Sequence, residues 1–319
     1  MRMRRKAPLV FVFAMFPIVM LLPTCASPAS SSGGAAATTT ATPQRGAWHL
    51  VLTAHGEVTG VAVDEQGNLY LAEINDDRIE KYAPDGTLLG QWGQHGSGLG
   101  QLDQPAKLTL DGQGNVYVTE INNARIQKFS PDGKPLAVWG SSGASPGQFT
   151  FPVGIALDAQ GNIYVAEIYG FRVQKLSAQG RPLAQWGTSG SGPGQFNFAY
   201  DVTLDASSDV YVSDTQSNNR IQKLSPEGTP LAQWGRSGTG KGQFLDPTGI
   251  AVDGNGDIYV LDTGNNRIQE LSSRGQYLRE WPGPGIKLGR FYIHSEMAMD
   301  GHGNVYVSDY NRIVELAIP

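Results

Sequence analysis

Three charged side chains occupy equivalent positions of a repeated sequence pattern and are the first candidates for a functional site. They are Lys107, Asp201 and Glu296, and each opens the first strand of its repeat unit. The other three units have glycine there, at Gly60, Gly154 and Gly249. In a ring of units these charges meet beside Tyr200 and His294, and we expect the glycines to leave space between them. One cation facing two acids favours a polar or zwitterionic ligand; the alternative is that the charges pair only with one another and with water.

Aromatic residues cluster near the same part of the pattern. One unit has Tyr169, Gly170 and Phe171 where the other units carry asparagines, and Phe151, Phe198, Tyr200 and Tyr292 lie at neighbouring positions. Exposed rings beside a few charges suit a sugar, a peptide or a protein loop as ligand. The alternative is that the rings pack beneath loops around a solvated opening.

The repeat that positions these residues is 47 or 48 residues long and occurs six times. It is marked by Tyr70, Tyr117, Tyr164, Tyr211, Tyr259 and Tyr306. In the third unit the short apolar segments 154–158, 163–167, 172–176 and 182–186 are separated by turn residues. A tandem array of four-stranded units of about 40–50 residues is typical of a β-propeller. The sequence therefore predicts an all-β, six-bladed β-propeller with four-stranded antiparallel blades.

The two ends of the chain are predicted to close the ring. The sixth unit ends at Pro319 after its third strand, and an unpaired tryptophan, Trp48, lies upstream in residues 46–52. An N-terminal strand that completes the last blade would remove an exposed sheet edge. With the strands of a blade named a to d along the repeat, the a–b and c–d turns lie on one face. The longer b–c and d–a loops lie on the other face, where we expect binding.

An acid that follows strand b and an arginine about five residues later recur in every unit. We interpret these pairs as structural, because anything present in all blades is most simply explained by blade construction. The acids are Glu73, Glu120, Glu167, Asp214, Asp262 and Asp309, and the arginines are Arg78, Arg125, Arg172, Arg220, Arg267 and Arg312.

Several segments of the repeat resemble the NHL repeat family. They are Gly-Ile-Ala-Val-Asp at 249–253, Ile-Tyr-Val at 258–260 and Asn-Arg-Ile-Gln at 266–269. The resemblance extends over 46–319 and implies a binding, scaffold or sensor module whose ligand is a protein, a peptide or a carbohydrate. It also leaves a propeller enzyme as the alternative, such as a metal-dependent lyase, a lactonase or a hydrolase.

Few side chains that could bind a catalytic metal ion are expected at the opening. The NHL-like lyases hold zinc with three histidines, and a zinc site needs three or four converging ligands. Here only His294, with His55 near enough to reach it, is expected at the opening. A central calcium would have Asp201 and Glu296, but Lys107 would oppose it. No cofactor is therefore predicted, and a binding module is favoured over an enzyme.

The N-terminus has the pattern of an export signal. Four positive charges within residues 1–6 precede an uncharged, mostly apolar run at 7–22. Cys25, the single cysteine, follows at a position that resembles a bacterial lipobox, although Thr24 departs from that pattern. The predicted domains are a signal peptide at 1–25, a flexible linker at 26–45 and the propeller at 46–319. Ordinary cleavage near residues 27–29 and a retained anchor are the alternatives to lipidation of Cys25.

The charge balance excludes one class of partner. The chain carries 24 basic and 29 acidic residues, and removal of the signal would make it more acidic. Nucleic acid is therefore not an expected partner, because its binding depends on neutralised phosphates. We expect an exported monomer on the outer side of the cytoplasmic membrane, lipid-anchored or secreted, whose membrane contact is only the N-terminal anchor.

Overall fold

The structure, a computed structural model, describes residues 46–285, 290–292 and 294–318. The predicted signal peptide and linker, including Cys25, lie outside the described residues, so these assignments stay predictions. In the described part of the chain, no helix is both long and apolar enough to cross a membrane.

The described strands form six antiparallel sheets of four strands each, which confirms the predicted six-bladed β-propeller. Blade 1 contains β2 (Val58–Val63), β3 (Leu69–Glu73), β4 (Arg78–Tyr82) and β5 (Leu88–Trp92). Blade 2 contains β6 (Pro105–Leu110), β7 (Val116–Glu120), β8 (Arg125–Phe129) and β9 (Pro135–Trp139). Blade 3 contains β10 (Pro152–Leu157), β11 (Ile163–Glu167), β12 (Arg172–Leu176) and β13 (Pro182–Trp186).

The second half of the chain repeats this arrangement. Blade 4 contains β14 (Ala199–Leu204), β15 (Val210–Asp214), β16 (Arg220–Leu224) and β17 (Pro230–Trp234). Blade 5 contains β18 (Pro247–Val252), β19 (Ile258–Asp262), β20 (Arg267–Leu271) and β21 (Tyr277–Pro282), with a 3₁₀ turn at Thr263–Asn265. Blade 6 contains β22 (Met297–Met299), β23 (Asn304–Asp309), β24 (Arg312–Ala317) and the N-terminal β1 (Trp48–Thr53).

Strand β1 closes the ring by pairing antiparallel with β24, as the unpaired tryptophan predicted. Trp48 is opposite Leu316 and Thr53 is opposite Arg312, with an irregularity between Leu50 and Leu52. The Trp48 indole donates a hydrogen bond to the carbonyl of Pro282 at 2.7 Å. The edge of β24 that would otherwise be unpaired is thereby covered by β1.

The core lies between neighbouring blades and combines aliphatic residues of strands a to c with the strand b tyrosines, and the strand d tryptophans pack against it. Every residue of β7 and β11 is buried, as befits strands with a sheet neighbour on each side and another blade on each face. The strand b tyrosine stacks on the strand d tryptophan of its own blade, with ring centroids 6.1 Å apart for Tyr117 and Trp139. The same pair recurs at 6.2 Å for Tyr211 and Trp234.

The recurring acid and arginine fix the loops at one face. In blade 2, Arg125 Nε donates to Glu120 at 2.6 Å, and its Nη2 donates to the carbonyl of Gln101 in the preceding d–a loop at 2.9 Å. Gln127 donates to Glu120 at 2.8 Å and accepts a hydrogen bond from the Gly100 amide at 2.9 Å. Equivalent networks hold blades 3, 4 and 5. In blades 2 to 5 these pairs are accounted for by loop anchoring, in agreement with their structural interpretation.

Candidate functional site

The glycines that alternate with the three charged residues serve close packing of the innermost strands. A Cβ atom on Gly60 would lie 2.4 Å from the Ala106 carbonyl oxygen, and one on Gly154 would lie 2.8 Å from Cα of Asp201. One on Gly249 would lie 2.9 Å from the Met297 amide nitrogen. The expectation that these glycines reserve space for a ligand is therefore wrong, because the neighbouring backbone fills that space.

The ring brings the three charged side chains of blades 2, 4 and 6 together, as their equivalent positions predicted. Lys107 Nζ forms an ion pair with the carboxylate of Asp201 and lies 3.5 Å from Glu296 Oε2. The exposed fractions of the three side chains are 9% for Lys107, 0% for Asp201 and 1% for Glu296. These residues, called the axial cluster below, are buried.

The two carboxylates of the axial cluster are held very differently. Asp201 accepts hydrogen bonds from the amides of Val202 at 2.7 Å and Ile250 at 3.0 Å, besides its contact with Lys107. Glu296 is close to Lys107, but neither of its oxygens accepts a hydrogen bond. Burial and the nearby Asp201 raise the pKa of Glu296 to about 8, although Lys107 opposes the shift. The raised pKa favours the protonated form of Glu296, whereas Asp201 is the ion-pair partner of Lys107.

The pKa of Lys107 also depends on burial and on the charges of the axial cluster. Burial alone would lower it, but Asp201 and Glu296 together raise the pKa of Lys107 above its ordinary value. The ammonium group is thus charged and compensated inside the fold. Lys107 and Asp201 thus satisfy each other, as the alternative for these residues stated, whereas Glu296 accepts no hydrogen bond.

A separate cavity of about 280 Å³ opens on the b–c and d–a face, and we call it the mouth cavity. Its apolar wall is formed by Ile74, Ile121, Phe151, Val153, Ile168 and Tyr200. Its polar lining includes Glu57, Thr59, Asn75, Gln104 and His294. The three isoleucines directly follow the strand b acids of blades 1, 2 and 3, so the repeat itself delivers them to this face.

The predicted single polar pocket is therefore replaced by two layers. Tyr200 and His294 line the mouth cavity as expected, but Lys107, Asp201 and Glu296 do not. Lys107 instead lines a channel of about 260 Å³ whose walls are the later residues of the innermost strands. Along the innermost strand of blade 2, for example, Ala106 lines the mouth cavity, Lys107 belongs to the axial cluster and Leu108 lines the channel. The axial cluster separates the two cavities. Its buried charged groups lie in mutual contact because a charge removed from water is stable only beside an opposite charge.

The rim of the mouth cavity carries a carboxylate held by two neighbours. His294 Nδ1 lies 3.5 Å from Glu57 Oε1, and Asn75 donates to Glu57 Oε2 at 2.9 Å. The hydrogen bond from His294 lowers the pKa of Glu57 against the effect of burial. Sequence reasoning missed Glu57 and Asn75. The available signal was the unusually short loop before β2, where the repeat pattern breaks down.

The predicted aromatic residues divide between the rim and the interior. Tyr169 is 51% exposed, and its ring meets Phe151 at 5.0 Å and Phe198 at 5.9 Å between centroids. It thereby extends the apolar wall outward from Phe151. Phe171 is half-buried, at a backbone φ of 51°, and does not line the mouth cavity.

A second group of rings lies elsewhere on the same face. Tyr292 meets Tyr310 at 5.6 Å and His294 at 6.3 Å between ring centroids. Tyr292 is 42% exposed and Tyr310 is 51% exposed. The rim thus offers exposed rings close to both His294 and Phe151.

Two groups of side chains in the described residues have ligand atoms close enough to hold a metal ion. One is His55 with Glu73 and Glu80, and the other is Asp77 with His95 and Asp103. Neither group includes a residue of the axial cluster, and neither contains more than one histidine. The three-histidine zinc arrangement of the NHL-like lyases has no counterpart among them.

Residues 244–271 match the family model of the NHL repeat. No curated protein matches the sequence of this chain significantly.

Solved structures resemble the chain in fold at low sequence identity. Virginiamycin B lyase from Staphylococcus aureus superposes with a TM-score of 0.61 and 16% identity, over 84% of this chain and 98% of the lyase. A gluconolactonase from Xanthomonas campestris gives 0.63 and 17%, over 84% of this chain and 89% of that one. A chain of a nidogen/laminin complex gives 0.55 and 20%, over 73% and 82%. Such likeness shows the fold alone, and this fold serves both enzymes and binding proteins.

Proposed function

We propose that this six-bladed β-propeller with an NHL repeat is a binding module whose ligand enters the mouth cavity. The observation that carries the proposal is the cavity itself, with apolar walls and a few polar groups at its rim. Ligand sites in proteins commonly combine these two features. The axial cluster lies below as a closed floor and contributes no group for direct contact.

The dimensions and chemistry of the cavity favour a peptide. A volume of about 280 Å³ accepts one large side chain rather than a folded domain. Ile121, Phe151 and Ile168 would surround an apolar side chain, while the Glu57 carboxylate would attract an amine. The exposed rings of Tyr169 and Tyr292 provide flat surfaces for the rest of the peptide, or for a sugar, the competing ligand class.

Calorimetric titration with defined probes tests this proposal. A tripeptide of phenylalanine followed by two glycines should bind, and its N-acetylated form should bind more weakly because it lacks the amine that faces Glu57. Ile121→Asp should abolish binding by placing a charge in the apolar wall, whereas Leu136→Asp, on the exposed strand d of blade 2, should leave it unchanged. Equal binding by the two variants would exclude the mouth cavity, and binding of oligosaccharides alone would replace the peptide with a sugar.

An enzyme remains the second candidate because of one specific pair. A carboxylate that orients an imidazole is an arrangement used for general base catalysis, and Glu57 lies beside His294 at the rim. The similarly folded lyase and gluconolactonase make elimination and lactone hydrolysis the reactions to assay. Turnover of a cyclic ester or lactone that is lost in His294→Ala but kept in His302→Ala would support this candidate.

The same proposal includes the cellular setting expected from the N-terminus. An exported, monomeric propeller held outside the cytoplasmic membrane by a lipid on Cys25 would present its mouth cavity to extracytoplasmic ligands. Its support is the basic and apolar pattern of residues 1–25.

A further inference from the structure

Blade 1 departs from the repeat at the third residue of strand c. Blades 2 to 5 have glutamine there, at Gln127, Gln174, Gln222 and Gln269, whereas blade 1 has Glu80. Each glutamine accepts a hydrogen bond from a glycine amide of the preceding d–a loop and donates to the strand b acid of its own blade. A glutamine amide satisfies both demands, and a carboxylate cannot donate.

The fold does not require a charged residue at position 80. The loop that enters blade 1 runs only from Ala54 to Glu57, so the long glycine-rich loop that the glutamines anchor is missing here. Blade 6 has Val314 at the equivalent position, which shows that an apolar side chain is compatible with the blade. The carboxylate of Glu80 therefore calls for another explanation.

Two of the side chains that contact Glu80, those of His55 and Tyr82, have no counterpart in blades 2 to 5. His55 Nδ1 from the short loop lies 3.2 Å from Glu80 Oε1. Tyr82 donates to Glu80 Oε2 at 2.5 Å and lies 3.2 Å from His55 Nδ1, at a position where blades 2 to 5 have phenylalanine or leucine. Ligand atoms of His55, Glu73 and Glu80 all lie within 4.8 Å of one another.

The cluster has more buried negative charge than its neighbours neutralise. Glu73 and Glu80 are both fully buried, and Glu73 Oε2 and Glu80 Oε1 accept no hydrogen bond of good geometry. The adjacent cation is Arg78, at 2.6 Å from Glu73 and 3.1 Å from Glu80, and it also faces Asp76 at 3.5 Å. Blade 2 has one buried acid for one arginine, whereas blade 1 has two buried acids for one, with the exposed Asp76 beside the same arginine.

The side chain of Arg78 can move away from Glu73 and Glu80 when another cation binds to them. The arginines of blades 2 to 5 donate to backbone carbonyls of the glycine-rich loops, which hold their guanidinium groups in place. The ion pairs of Arg78 are with carboxylates, and its side chain is 25% exposed. Rotation of Arg78 into solvent would cost no backbone hydrogen bond of that kind.

We propose that His55, Glu73 and Glu80 form a binding site for a divalent transition-metal ion of the zinc type. An imidazole among the ligands favours such an ion over calcium or magnesium, which prefer oxygen alone. Three protein ligands leave a position for water, and the 41% exposed side chain of His55 provides the way in. Because His55 and Glu57 share one short loop, the bound ion would also fix the loop that carries Glu57 to the mouth cavity.

Zinc titration of the metal-free full chain in a Cys25→Ser background tests this site without a competing thiol. The expected result is one zinc ion per chain by calorimetry. Loss of even an outer partner of a metal ligand weakens binding by about 10–100-fold, so Glu80→Gln should weaken it by about 100-fold or more. Glutamine is the residue of four other blades, so this variant is expected to fold. His95→Ala, in the second group of possible ligands, is the matched control and should bind zinc as tightly as the parent.

A second variant, His55→Ala, and a second ion, Co²⁺, test the same site independently. His55→Ala alters an exposed side chain and should also prevent zinc binding, and the visible absorption bands of bound Co²⁺ should disappear with it. The proposal is overturned if the parent protein binds no zinc, or if both Glu80→Gln and His55→Ala retain full affinity. Loss of zinc binding only in His95→Ala would assign the ion to the other group and overturn it equally.

Discussion

The ammonium group of Lys107 in blade 2 is paired with the carboxylate of Asp201 in blade 4, across 94 residues of sequence. Both side chains are buried, so the pair joins two blades that are not neighbours in the ring. A buried charge that loses its partner is costly, whereas an apolar replacement of the whole pair is often tolerated. The first prediction follows from this asymmetry.

Asp201→Ala should lower the free energy of unfolding by about 3–5 kcal/mol, because it removes the ion-pair partner of buried Lys107 and the acceptor of the Val202 and Ile250 amides, and leaves only Glu296 beside the ammonium group. The double variant Lys107→Met/Asp201→Leu should recover most of that loss. Lys134→Ala, which alters an exposed lysine, is the control. Urea unfolding measures all three, and a double variant no more stable than Asp201→Ala would contradict the interpretation of the pair.

The raised pKa of Glu296 predicts a pH dependence with a definite sign. Its pKa is about 8 in the folded protein and 4.5 ordinarily, so between these values the unfolded chain releases the proton first. The folded state then holds more protons, and its stability falls as the pH rises from about 4.5 to about 8. Above that range the contribution is constant.

Glu296→Gln should remove this contribution. Denaturant unfolding at several pH values measures the free energy of unfolding of the parent and of Glu296→Gln. As the pH rises, the parent should lose stability relative to Glu296→Gln. A difference that stays level from pH 5 to pH 8 would show that Glu296 titrates normally in the folded protein.

Trp48→Ala should weaken ring closure. The substitution removes the hydrogen bond to Pro282 and an edge contact with Phe291 at 5.4 Å between ring centroids. Because Trp48 is only half-buried, we expect a loss of about 2–3 kcal/mol, below that of a fully buried tryptophan. Leu183→Ala, on the exposed strand d of blade 3, is the control. An unchanged denaturation midpoint for Trp48→Ala would mean that β1 adds little to the closed ring.

Gly154→Ala should destabilise the protein although it adds a single methyl group. The new Cβ would lie 2.8 Å from Cα of Asp201 and 2.9 Å from the Tyr200 carbonyl oxygen, both backbone atoms that cannot rotate away. The expected loss is about 2–3 kcal/mol. Gly254→Ala is the matched control, since its Cβ would meet nothing within 4 Å. Similar melting temperatures for the two variants would refute the close approach of blades 3 and 4.

Mass spectrometry of the mature N-terminus tests the export prediction. Lipidation predicts a chain that begins at Cys25 and carries acyl chains, and Cys25→Ser should release the protein from membranes. A soluble species beginning near residue 30 would instead indicate ordinary cleavage. The intact N-terminus in the membrane fraction would indicate a retained anchor.

Much of the fold could be predicted from the sequence because the residues that mark each strand are local and recur in every blade. Residues 47 or 48 positions apart, such as Tyr117 and Tyr164, mark the same strand of successive blades, so one spacing gives the blade count. The unpaired Trp48 predicted that the N-terminal strand closes the ring, because each blade needs one strand d and the last unit lacks its own. The same symmetry predicted correctly that Lys107, Asp201 and Glu296 would meet.

Only the tertiary structure decided what those positions mean. Sequence shows that Gly154 alternates with charged residues, but the distance to the backbone of blade 4 shows that it serves packing. The solvation of Lys107 and Asp201 depends on how tightly the innermost strands converge, and that closure turned an expected pocket into a buried ion pair. Glu57 and His294 lie in loops that break the repeat, so no periodicity could place them together. A repeat therefore determines which backbone positions face the axis, whereas burial and contact between side chains depend on distances that arise only when all six blades are packed.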